Sequence, residues 1–121
     1  MPPNSQQAVI VRVGTEVFGA PNMRNPEERM KRFLEEALEL VRAAGLGNEA
    51  ILNVVDFEMG RDVGPDVNQE LGGAGVTLYA LAEALGQDLD AVVATEINRV
   101  EANKDKIRAK HEAKPGSVKA F

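Results

Sequence analysis

Apolar residues recur along the chain at the three- and four-residue spacing of helices, and residues that start and stop helices bracket the runs. The clearest run extends from Pro26 to about Ala44. Asn25 supplies an N-cap, Pro26 suits the first turn, Glu28 stands where a capping box places its acid, and Gly45 ends the helix. Phe33, Leu34, Ala37, Leu38, Leu40, Val41 and Ala44 form one broad apolar stripe on it. A shorter helix is expected from Asn48 to Met59, closed by Gly60, and residues 60–66 read as a loop. Asp66 caps a helix that reaches Leu85 and stops at Gly86, with Val67, Leu71, Ala74, Leu78, Leu81 and Leu85 along one side. Asp88 caps what the pattern predicts to be the last and longest helix, ending before Pro115 and burying Leu89, Val92, Val93, Ile97, Val100 and Ile107.

The stretch from Gln7 to Phe18 is rich in β-branched residues, which would suit a strand. No other segment offers it a partner strand, so a helix is expected. The fold class is therefore all-α, a bundle of four to five helices in a single domain spanning 1–121, with 1–6 and 114–121 as flexible tails. The apolar stripes are long for a chain of 121 residues. They predict sharing with a second subunit, as a homodimer or homotetramer.

Composition narrows the chemistry. There is no Cys, which excludes a disulfide scaffold, a thiol nucleophile and Cys-ligated zinc or iron–sulfur centres. A single His, His111, excludes a multi-histidine metal site within one chain. The net charge of -5 argues against a nucleic-acid backbone binder. No apolar run approaches the ~18 residues of a membrane span, and the start of the chain lacks the character of a signal peptide, so a cytoplasmic protein is expected. The charge is unevenly spread, because the segment from Asn98 to Lys119 is rich in Lys and Arg.

Three placements of acid attract attention. Glu36 and Glu39 are neighbours on one helical turn at the flank of the apolar stripe, with Glu35 turned further toward solvent. Glu70 falls beside Gly73, Ala74 and Thr77, a carboxylate set against small residues in a helix whose three glycines (Gly72, Gly73, Gly75) each cost about 1 kcal/mol relative to Ala. Glu96 is expected within the buried stripe of the last helix. Three helices that aim acid at one region suit a hard cation with oxygen ligands, and a basic helix end beside them suits phosphate. The plain alternatives are a solvated acidic face in which Arg32 pairs Glu36, close helix packing at the glycines, and a Glu96–Arg99 ion pair.

The segments RFLEEALELVRAAG (Arg32 to Gly45) and QELGGAGVTLYALAEALG (Gln69 to Gly86), followed by the long charged helix, resemble the MazG-type all-α nucleoside triphosphate pyrophosphohydrolases, a group that includes phosphoribosyl-ATP pyrophosphohydrolases and dimeric dUTPases. The resemblance covers roughly residues 25–112. It implies Glu-x-x-Glu on one helix, matched by Glu36 and Glu39, and Glu-x-x-Asp on a later one. There Glu70 matches the first position, and Gly73 stands where the family has Asp. It further implies a Mg²⁺-dependent hydrolysis of a nucleoside triphosphate, or a related pyrophosphate-containing molecule, to the monophosphate and pyrophosphate, with Mn²⁺ as the alternative ion. Glu36, Glu39 and Glu70 would hold the metal, and Glu35 and Glu36 would serve catalysis. Asn103, Lys104, Lys106 and Arg108 would face phosphate, with Glu96 and Arg32 supporting from behind. Two other readings stand beside it. One is a binding module that holds nucleotide or metal without turnover. The other is a structural helical oligomer, in which the acids lie on the surface paired with Arg29, Lys31 or Arg32.

Overall fold

The computed structural model describes residues 2–118, and every regular element within them is a helix. Ser5 caps α1 (Gln6–Phe18), its hydroxyl accepting from the Ala8 N–H at 3.2 Å. The β-branched stretch is thus helical, as expected. Gly19, at φ 83°, ends α1, and a short α2 (Ala20–Met23) with Pro21 in its first turn follows. That element was not anticipated, because four residues are too few to show a period. Asn25 caps α3 (Pro26–Ala43) by accepting from the Glu28 N–H at 3.2 Å. Then come α4 (Asn48–Met59) and α5 (Val67–Ala84), the latter capped by Asp66.

The expected long terminal helix is two helices, α6 (Leu89–Ala102) and α7 (Lys104–Glu112). Asp88 caps the first, and Asn103 breaks the run: its backbone leaves helical values (φ -125°, ψ 30°) and its side-chain amide donates to the Arg99 carbonyl at 2.8 Å. A short polar side chain that bonds nearby backbone competes with the helical ladder, which is the physical reason for the break. Of the expected tails, Met1 and residues 119–121 lie outside the described residues.

The molecule is built around α1, which packs on α2, α6 and α7, while α2 touches α3. Val13 and Val17 of α1 are buried, and Gly14 lies so close to Met23 that an added Cβ would stand 2.5 Å from its sulfur. Arg108 of α7 crosses to the end of α1, donating to the Val17 carbonyl at 2.7 Å and the Glu16 carbonyl at 2.8 Å, both unsatisfied within the helix. The other buried side chains of the body are polar: Asn22, Glu28 and His111. His111 Nε2 lies 3.2 Å from both the Glu28 carboxylate and the Asn22 amide, and its ring meets Phe18 edge-on at 5.1 Å.

The stripes do not go where the pattern predicts. On α3 the charged side turns inward, with Glu28 buried and Arg32 and Glu35 half-buried, while Phe33 and Leu34 are 59% and 60% exposed. On α5, Val67 and Leu71 are exposed and only Ala82 is buried. Among the described residues α4 packs on no other helix and α5 only on α6, so the two stand away from the body as an arm.

Candidate functional site

A cleft of about 720 Å³ opens between α1, α3, α6 and α7. Its floor is apolar, formed by Ile10, Val13 and Phe18 of α1 with Val93, Ile97, Val100 and Ile107 of α6 and α7. Its rim is charged on both sides. From α3 come Arg29, Arg32, Glu35, Glu36 and Glu39; from α6 and beyond come Glu96, Arg99, Asn103, Lys106, Lys110 and Lys114.

The sequence-predicted residues divide accordingly. Glu35, Glu36, Glu39, Arg32, Glu96, Asn103 and Lys106 share the cleft. Lys104 does not: it pairs with Glu16 at 2.8 Å, and that hydrogen bond is the main reason the Glu16 carboxyl is held below its ordinary value. Arg108 is occupied at the end of α1. The break at Asn103 separates α7 from α6, and Lys104 and Arg108 belong to a side of α7 that meets α1. Glu70 is exposed on the arm and is not part of the cleft, contrary to its expected place near the core. A Cβ on Gly72, Gly73 or Gly75 would touch nothing within 4 Å, so no helix of the same chain approaches them closely. Glu96 lines the cleft without being buried in the α6 stripe. Its side chain is 56% exposed and is gripped by Arg99 at 2.6 and 2.8 Å, which pulls its carboxyl below the ordinary range, with the Arg32 charge adding to the effect.

Several rim charges neutralise one another. Arg32 meets Glu36 at 2.6 Å and Glu35 at 3.4 Å, and Lys114 meets Glu35 at 3.0 Å. The pairs Arg32–Glu36, Lys31–Glu27 and Arg29–Glu28 are what a structural oligomer would show. Glu39, Lys106 and Lys110 differ: among the described residues none of them has an ion-pair partner. Lys106 and Lys110 are i, i+4 neighbours on one helix face, an arrangement that is unfavourable until an anion lies between them. Arg29 adds a second unsatisfied feature. Its guanidinium stacks over Phe18 at 5.1 Å, while its Nε and one terminal nitrogen are buried without a hydrogen-bond acceptor. Burial draws its pKa down, and the Glu28 carboxylate opposes that shift.

Sequence reasoning missed Arg29, Lys110 and Lys114 at the rim and the buried Glu28–His111 contact beneath. The signal for the last was present: the chain's single His lies on the basic helix, and an acid in the first turn of α3 is free to do more than complete a cap.

The residues of one chain do not fit a magnesium centre. Among the described residues no three carboxylate or histidine side chains are gathered so as to hold a metal ion, and Glu36 already spends one oxygen on Arg32. No helix there is long and apolar enough to cross a membrane. No protein-family model, curated protein or solved structure matches the chain.

Proposed function

We propose that the cleft receives the phosphate chain of a nucleoside triphosphate or a related pyrophosphate-containing small molecule, and that the chain is a pyrophosphohydrolase releasing nucleoside monophosphate and pyrophosphate. The observation that carries this reading is the pair of lysines, Lys106 and Lys110, left without counter-charges across the cleft from Glu39. An anion of several charges would satisfy them together with the buried nitrogens of Arg29, while the apolar floor between α1 and α6 suits the planar part of such a ligand. Magnesium dependence enters through the resemblance of the α3 and α5 segments to the pyrophosphohydrolases. A second reading, binding of nucleotide or metal by a helical oligomer without turnover, is favoured by Gly73 in place of the family Asp and by the engagement of Glu36 with Arg32.

The test separates binding from turnover. Calorimetry with a panel of nucleoside triphosphates, beside an assay for pyrophosphate release with Mg²⁺, is run on the native chain, on Lys106→Ala/Lys110→Ala and on Glu39→Gln. Binding should weaken about 100-fold in the double lysine variant, the loss expected for two charge-assisted contacts. Release should vanish in Glu39→Gln while binding persists. Binding without release by the native chain selects the second reading, and absence of both refutes the two together.

A further inference from the structure

We infer that two copies of this chain form a reciprocal dimer in which the α4–α5 arm of each covers the outward apolar face of α3 on the other, delivering Glu70 toward the edge of the partner's cleft. The first ground is area. The chain exposes 9035 Å², whereas a compact chain of 13.0 kDa exposes about 6,300 Å². The surplus of about 2,700 Å² per chain is of the size that obligate dimers remove, roughly 2,000–5,000 Å² or more for two chains together. The second ground is its location. Twelve of the nineteen exposed large apolar residues lie in segment 46–86, and four more are Met30, Phe33, Leu34 and Leu38 on the outer side of α3. An isolated two-helix arm with apolar residues on most of its sides has no means of staying folded in water.

Charge favours a second copy over a foreign partner. Segment 46–86 carries seven carboxylates against one arginine, while the rest of the chain has thirteen Lys and Arg against twelve Asp and Glu. The acidic arm therefore suits a body like its own. Gly45 and Gly86, both at positive φ (105° and 70°), flank the arm at its two roots, where the chain must turn sharply out and back. The open glycines of α5 allow a partner backbone to come close. Glu70 flanks the stripe of α5 as Glu36 flanks that of α3. Stripes packed face to face bring those flanks to a common rim, and the expected triad of Glu36, Glu39 and Glu70 then forms only between two chains. The dimer itself does not rest on the nucleotide reading; only the role of Glu70 does.

The test reads mass by sedimentation equilibrium without any ligand, so it fails or succeeds independently of nucleotide binding. The native chain should have the mass of two copies. Leu34→Lys and Leu71→Glu, each alone, should weaken self-association about 100-fold or more, because each buries an unpaired charge at both interfaces. Mixed one to one, they should recover the two-chain mass, since one interface then holds a Lys–Glu pair and the other is native. If either variant fails to fold alone, recovery of helical circular dichroism on mixing carries the same information. A one-chain mass for the native protein overturns the inference. So does a native dimer whose two variants fail to complement, since α3 would then not face the partner's α5.

Discussion

The body and the arm solve the burial problem in opposite ways. The body, made of α1, α2, α3, α6 and α7, holds together around two valines and a polar cluster: Val13 and Val17 at the centre, Glu28, His111 and Asn22 beside them, and Arg108 reaching over to finish α1. The arm is the more apolar region, yet among its residues only Ala82 is buried. Hydrophobic content by itself therefore does not place a segment inside a fold. It states that cover is needed, and the cover here is not in the same chain. The inverted α3 makes the same point within a single element, because its charged side serves the body and its apolar side has no neighbour.

The sharpest way to break the body is to remove the charge at its centre. Glu28→Ala leaves His111 and Arg29 without their buried carboxylate, and loss of one member of such a pair costs about 3 kcal/mol. Urea denaturation of the variant should show that loss. A change below about 1 kcal/mol would mean that the body depends on something other than this cluster.

Much of the body and the arm alike was legible in the chain. Asn25, Asp66 and Asp88 cap the helices that they were expected to cap, and the stops at Gly45, Gly60 and Gly86 fall at or next to the helix ends. Such signals act over one turn, so a local sequence carries them completely. The direction in which a stripe points is not local. The 3.6-residue period identifies which side of α3 is apolar but not whether its cover comes from α1 or from another molecule. The break at Asn103 was hidden because Ile107 continues the period of Val93, Ile97 and Val100 across it, and with the break Lys104 and Arg108 swing to α1. The α3 half of the candidate site was readable, since Glu35, Glu36 and Glu39 stand on one helix. Lys110 and Lys114 were not, because which side of a basic helix faces a cleft depends on the crossing angle of α7.

The arm offers a smaller and cleaner perturbation. Gly72 lies on the side of α5 away from its apolar stripe, and an added Cβ there meets nothing. Gly72→Ala should stabilise the helix by up to about 1 kcal/mol and raise the thermal midpoint without altering mass in solution. A fall in the midpoint would show that this side of the arm is covered as well, and would enlarge the surface the partner must supply.

The least effect is expected at the exposed rim of the body, and its sign is fixed by the ion pair. Arg99 holds the Glu96 carboxyl below its ordinary value. The contribution to stability is therefore present above the unfolded-state pKa of glutamate and disappears as pH falls through the lower folded value. Because both side chains are 56% exposed, solvent screens the pair, and the contribution is about 0.5 kcal/mol or less. Arg99→Gln should return the Glu96 titration, followed by carboxyl-carbon NMR, upward toward the ordinary range, with a loss of stability at neutral pH no larger than that figure and none below both pKa values. A downward movement of the Glu96 titration in this variant would mean that Arg32, the next cation across the cleft, takes over the carboxylate more closely than Arg99 held it, and that the two walls of the cleft move together.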